Sequence, residues 1–304
     1  MAAEPLGVSV ERLCRSARAE LVLCAPFAKL GVVTRLLATV HDPSVRPLLI
    51  TRWRPEEVAA GVSDTAVLPA VEAAGGRVVL HDRLHAKYYR SEFEALLGSA
   101  NLTATALGWS WPSNLELLQP VLPAAVLALE RRLVDEGAVA TAELAAAVEL
   151  QAALLDVPRA PPEVLVEPQD PSSWVPTLRY PQDLFLAYTG KEAELSSASV
   201  RAANRDLLAL DLPLGLAEAA FLIEVDARLW QTDLVQHLVP LLRTPHRFGA
   251  VSHEIASELG LRRDDADAVW QSLMRWLLTF SPHRVERRVS RVSEVLVLRN
   301  TAGL

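Results

Sequence analysis

Seven prolines fall between Pro158 and Pro181, and no helix survives that density. Each ring fixes φ and removes a backbone donor, so the segment reads as an extended linker or strap. It divides the 304-residue chain into residues 1–157, a linker at 158–182, and residues 183–304. With 51% hydrophobic residues, each part has enough apolar side chain for a core of its own.

The first part alternates strand and helix patterns. Residues 8–19 place Val8, Val10, Leu13 and Cys14 on one face and Arg12, Arg15 and Arg18 on the other, the pattern of an amphipathic helix. Residues 19–27 then read as a strand, 31–40 as a helix, 45–53 as a second strand, and 65–74 as a helix stopped by Gly75-Gly76. This alternation predicts an α/β layered domain. Residues 124–136 and 141–155 are Ala-rich helices, the second expected to be buried because it carries few charges. Arg52 and Arg54 follow the second strand and read as solvated surface residues, the alternative being contact with a phosphate from a neighbouring loop.

The chemistry concentrates between His85 and Asn101. A strand puts residues i and i+2 on one face, so His85 and Lys87 project an imidazole and an ammonium side by side. After a turn near residues 90–92, residues 93–97 read as a second strand ending in Gly98-Ser99-Ala100-Asn101. Gly98 permits close backbone approach to a ligand, while Ser99 and Asn101 bring short hydrogen-bonding groups. A nucleophile, a cation and neutral polar groups at one point make an inventory suited to a phosphoryl group. The plain alternative is two exposed strand residues before an ordinary hairpin. In a chain with seven His and three Lys, a chance His-x-Lys is expected about 0.1 times, and a following Gly-Ser-x-Asn is rarer still.

These residues resemble the signature of the phospholipase D superfamily: His85-Ala86-Lys87, an acid at Glu92 where the family has Asp, then Gly98-Ser99-Ala100-Asn101 one residue early. Asn114-Leu115-Glu116, opening another strand, and the first strand ending in Pro26-Phe27 are also similar to the bacterial nuclease-type branch, which includes restriction and phage-defence proteins. The likeness spans roughly residues 10–125. It implies a mixed sheet flanked by helices and a phosphohistidine on His85. Lys87 and Asn101 would hold the nonbridging oxygens, Ser99 would assist, Glu116 would orient an imidazole, and Glu92 and Gly98 would support. The family uses two such signatures, and this chain has no second His-x-Lys. A homodimer sharing one active site is therefore expected. No metal or other cofactor is expected, because two copies of Lys87 offset the phosphate charge.

Gly108-Trp109-Ser110-Trp111-Pro112 follows the signature. Trp109 and Trp111 would make a stacking surface for unpaired bases, a lip dipping into lipid or a dimer contact, against simple packing under the loop.

The last part is mostly helical: 199–210, 216–222, 226–242, 248–261 ending at a glycine, and 263–278, then a β-hairpin over 285–298. Helices followed by a hairpin resemble a winged-helix domain at 226–299, an architecture that often reads DNA. From residue 243 onward ten Arg face seven acids, against a net charge of −7 for the whole chain. Arg284, Arg287, Arg288 and Arg291 cluster on the wing, where phosphate contacts fall. A protein-binding or dimerising winged helix is the alternative.

Global charge argues against a protein that coats nucleic acid or anionic membrane. Cys14 and Cys24 are too few for a zinc cage and not spaced as a redox pair. No leader pattern or apolar run long enough to span a membrane occurs, so a cytoplasmic protein is expected, without membrane association. The chain reads as a metal-independent nuclease acting on DNA ahead of RNA, with other defence-system proteins as further partners. The competing readings are a silent or partner-activated binding module and a phospholipase.

Overall fold

The computed structural model describes residues 5–160, 163–166, 170–290 and 293–299. The chain forms two compact units, residues 3–165 and residues 166–304.

The first unit runs α1 (Leu6–Ser16), β1 (Glu20–Cys24), α2 (Leu30–Ala38), β2 (Arg46–Thr51), α3 (Pro55–Ala59), α4 (Val67–Ala73), β3 (Arg77–Leu80), β4 (Lys87–Ser91), β5 (Ala95–Gly98), α5 (Ala104–Leu107), β6 (Leu118–Val121), α6 (Ala124–Glu136), β7 (Ala138–Val139) and α7 (Ala142–Ala153). The strands form one mixed sheet in the order β6-β5-β4-β1-β2-β3-β7. β1, β2 and β3 are parallel, and β4, β5 and β6 form an antiparallel meander joined to β1. The expected α/β fold of a mixed sheet flanked by helices is present, followed by a largely helical second unit.

β1 shows why these strands read as unbroken apolar runs. Leu21 and Leu23 enter a core under α1, α2, α4 and α5, while Val22 and Cys24 enter a second core under α6 with Tyr88, Ala95, Val126 and Leu133. Both faces are covered, so polar alternation is absent. Arg90 bridges the layers from a buried position, bonding Glu130 of α6 at 2.7 and 2.9 Å and Glu20 of β1 at 2.6 Å.

Several sequence expectations need correction. β4 begins at Lys87, so His85 precedes the strand. β5 begins at Ala95 and β6 at Leu118, each later than the pattern suggested. Helix α7 buries only Val148 and Ala152, leaving Leu150 68% and Leu154 80% exposed. Its apolar residues are spread round the helix with Glu143, Glu149 and Gln151 among them, so no apolar stripe marks the face that packs, and a low charge count does not imply burial.

The second unit contains α8 (Leu184–Tyr188), α9 (Ser197–Leu210), α10 (Glu218–Leu229), α11 (Asp233–Leu242), α12 (Phe248–Leu259), α13 (Arg263–Phe280), β8 (Val285–Ser290) and β9 (Ser293–Leu298). The helix expected over 226–242 is broken between α10 and α11. Thr232 is extended at φ −71°, ψ 142°, and caps a new helix whose first turn carries Asp233. Gly260 ends α12 at φ +62°. Residues 170–180 are irregular but held to α9: buried Asp206 accepts from Trp174 Nε1 at 3.0 Å, Thr177 Oγ1 at 2.9 Å and Leu178 N at 2.7 Å. Burial pushes the Asp206 carboxyl up to about 6 despite these donors. Trp276 Nε1 of α13 donates to the Leu178 carbonyl at 2.9 Å.

Candidate active site

The C-terminal ends of β1 and β2, the start of β4 and the end of β5 meet at one end of the sheet. Register makes this so: Cys24 pairs with Tyr88, Lys87 with Gly98, and Gly98 with Leu118. The ends of parallel strands beside a change in strand direction are where open α/β sheets commonly take ligands.

His85 is exposed in the connection between β3 and β4. Lys87 Nζ lies 3.5 Å from His85 Nδ1 and donates to the His85 carbonyl at 2.9 Å. The side-by-side placement expected from a two-residue spacing therefore holds without a strand at His85. Burial lowers the Lys87 pKa below its ordinary value; Glu116 opposes this, Arg52 adds to it, and Cys24 opposes it.

Ser99 follows β5. Its hydroxyl donates to Glu116 Oε2 and accepts from Leu117 N at 3.1 Å, while Asn114 Nδ2 donates to Glu116 Oε1 at 3.2 Å. Glu116 is thus engaged by Ser99 and Asn114 within its own chain rather than by His85. Tyr89 Oη donates to the Ala100 carbonyl at 2.8 Å, and Leu102 N to the Phe27 carbonyl at 3.0 Å, pinning the Ser99–Asn101 segment to β4 and to the loop after β1. Asn101 Oδ1 is buried with no hydrogen-bond partner among the described residues, an acceptor left open between two pinned residues.

Gly98 serves a different end from the one expected. A Cβ at this position would lie 1.8 Å from the Leu117 carbonyl oxygen. The close approach is that of β6, not of a ligand. Glu92 is likewise remote from the imidazole: its carboxylate accepts from Arg18 N at 2.8 Å, Ala19 N at 3.1 Å and Glu20 N at 3.2 Å, capping the start of β1. Burial pushes its carboxyl up, but backbone donors at Glu92, Glu20, Arg18 and Ala19 outweigh it, leaving the pKa below that of an ordinary glutamate.

Trp109 and Trp111 are not a stacking surface. Trp109 is fully buried, with the Arg35 guanidinium 4.1 Å from its ring centre and Gly7 vacating the space a side chain would fill; Trp111 is 9% exposed. The apolar rings pack under the loop because that buries more surface than a solvent lip leaves covered. In the second unit Arg284 bonds Asp226 at 3.2 Å and lies 5.0 Å from the Trp230 ring centre, and Arg288 pairs with Glu286 at 2.5 Å. Arg287 is exposed, and Arg291 lies outside the described residues.

Arg52 is buried rather than solvated. It is 9% exposed at the end of β2, with Nε 3.0 Å and Nη2 2.5 Å from Glu57 and Nη1 2.7 Å from the Leu84 carbonyl. Its position at the C-terminal end of a buried parallel strand was the available signal. Among the described residues no group of three or more His, Cys, Asp or Glu is arranged to hold a metal ion, and no helix is long and apolar enough to cross a membrane.

No family model matches this chain, and no curated protein does. Among solved structures it is similar to Nuc, a phospholipase D family member from Salmonella typhimurium, at 17% identity over 44% of this chain and 90% of that one, with a TM-score of 0.36. It is also similar to NucT from Helicobacter pylori, at 15% identity over 44% of this chain and 89% of that one, with a TM-score of 0.36.

Proposed function

We propose that this chain is a metal-independent phosphodiesterase of the phospholipase D type that cleaves nucleic acid, DNA ahead of RNA, through a phosphohistidine on His85. The observation that carries the reading is the His85 imidazole beside the Lys87 ammonium, with Ser99, Asn101 and Glu116 delivered to the same end of the sheet. Neutral His85 attacks phosphorus, forming an N–P bond as the bond to the leaving oxygen breaks. That oxygen needs a proton from the opposite side, which the attacking imidazole cannot supply. His81 does not fill the gap: its Nδ1 accepts from Arg83 N at 3.3 Å and its Nε2 lies 3.6 Å from Glu136. The partner subunit's His85 in a twofold homodimer would donate the proton, then activate the water that breaks the N–P bond. Lys87 and Asn101 hold the nonbridging oxygens, and Glu116, fixed by Ser99, is available to an imidazole across the interface. Arg287 and the winged-helix-like order of α11, α12, α13 and the β8–β9 hairpin support nucleic acid as the substrate, in a cytoplasmic restriction or phage-defence setting.

A second reading has one observation in its favour. Leu115 and Leu117 flank Glu116 and are fully and 57% exposed, an apolar rim suited to lipid as well as to a second subunit. The discriminating experiment incubates end-labelled single- and double-stranded DNA and RNA with the protein in excess EDTA, comparing wild type with His85→Ala, beside flotation with anionic lipid vesicles. The proposal expects cleavage that vanishes in the variant and no flotation. Flotation without cleavage transfers the assignment to a phospholipase, and DNA binding without turnover to a binding module.

A further inference from the structure

A nucleophile carried on a connection rather than a strand needs an external brace, because nothing in a β-ladder fixes it. Residues 81–86 join β3 to β4 with neither helix nor strand, and His85 is exposed at the end of that path. Besides the bond from Lys87 Nζ to the His85 carbonyl, contacts along the path restrain it. Leu84 is 1% exposed, its N–H donates to the His81 carbonyl at 2.9 Å, and its carbonyl accepts from Arg52 Nη1 at 2.7 Å. That carbonyl belongs to the same peptide plane as the His85 nitrogen, so holding it fixes where the His85 backbone starts. Two residues upstream, Arg54 Nη2 donates to the Asp82 carbonyl at 2.8 Å.

We infer that Arg52, anchored by Glu57 and assisted by Arg54, is the positioning residue for His85. The β2–α3 loop grips the histidine-bearing loop through two of its carbonyls. Glu57 takes two of the Arg52 nitrogens and Leu84 the third, and the guanidinium also sits 5.4 Å from the Phe27 ring centre. Three of its five N–H groups are spent inside the protein and the residue is 9% exposed, which favours action on substrate through His85 over contact with phosphate. A planar fork spans two carboxylate oxygens and a carbonyl; a lysine ammonium does not.

This role rests on His85 being the nucleophile, and the test separates the two claims. Full-length wild type, Arg52→Lys and Glu57→Gln are compared by thermal melting, by nitrogen-detected histidine ring spectra with the His85 signal assigned from His85→Gln, and by kcat and KM for bis-p-nitrophenyl phosphate in EDTA. The brace predicts a folded Arg52→Lys whose His85 ring signals shift or broaden while those of His237 and His253 stay. It predicts kcat lower by about 100-fold, the scale of a misplacement near 1 Å, with KM little changed. A folded Arg52→Lys with unaltered His85 signals overturns the brace, as does a rise in KM at constant kcat, which would make Arg52 a substrate contact. If Arg52→Lys does not fold, Glu57→Gln is read the same way, and unaltered His85 signals in it are equally fatal. If wild type shows no turnover, the nucleophile assignment fails and the ring spectra still decide the brace.

Discussion

Gly98→Ala is the perturbation whose consequence follows most directly from the backbone. The added Cβ would sit 1.8 Å from the Leu117 oxygen and 2.8 Å from its carbonyl carbon, where real Cβ contacts essentially never fall below 3.0 Å. The Leu117 carbonyl, a backbone atom, must therefore retreat by about 1.2 Å or more, or β5 must move by as much. That retreat breaks or stretches the 2.9 Å bond from Ser99 N to Leu117 O. Overpacking of this kind costs about 1–3 kcal/mol, and the lost hydrogen bond about 1 kcal/mol more. For a unit of this size each kcal/mol lowers Tm by about 2–4 °C, so a fall of roughly 5–15 °C is expected. Ser99 and Glu116 sit on the two displaced segments, so kcat should fall by about 100-fold even below the melting range. The assay pairs a thermal melt with turnover at a temperature where the variant remains folded. A variant with wild-type Tm and wild-type kcat would refute the claim that Gly98 exists for the approach of β6.

Three further outcomes are expected. Glu92→Gln should lower Tm at neutral pH, since an amide cannot accept from all three N–H groups at the start of β1. Because the Glu92 pKa is depressed on folding, its stabilisation is present above the ordinary glutamate value and lost as pH falls through the folded value, so wild type and variant melts should converge in acid; a constant gap would contradict this. The Lys87 pKa is lowered chiefly by burial, so the alkaline fall in kcat/KM should come below the ordinary lysine value of 10.5 and should disappear from that range in Lys87→Arg if the variant retains measurable turnover. Trp109→Ala should cost about 3–5 kcal/mol of stability, measured by urea unfolding, without any specific loss of DNA affinity in the folded protein, because its ring is enclosed rather than presented to solvent.

The order of strands and helices was legible in the first unit because buried parallel strands leave long apolar runs and the helices between them keep a 3.6-residue period. The neighbouring of His85 and Lys87 was expected from a strand through both; the two side chains do meet, although the strand starts only at Lys87. What was not legible depends on contacts between segments far apart in sequence. Arg52 looks like any surface arginine until Glu57 and the Leu84 carbonyl are brought to it. Gly98 suggests ligand access until Leu117 arrives from the next strand, and Glu92 suggests a site acid until its oxygens reach the amides of Arg18 and Ala19. For Trp109 the sequence left a base-stacking surface, a lipid lip, a dimer contact and packing under the loop open, because nothing local announces Gly7, a hundred residues earlier, as the gap it fills. The break between α10 and α11 escaped because Trp230 and Leu234 continue a helical spacing across an extended Thr232.

The central claim is a covalent bond between His85 and phosphorus. Short incubation of the protein with uniformly ³²P-labelled DNA in EDTA, an alkaline quench that preserves phosphohistidine, and peptide mapping would test it most directly. The account predicts label on the peptide carrying His85, absent from His85→Ala and chased by longer incubation. Cleavage that proceeds with no label on that peptide, or with label on another residue, would contradict it.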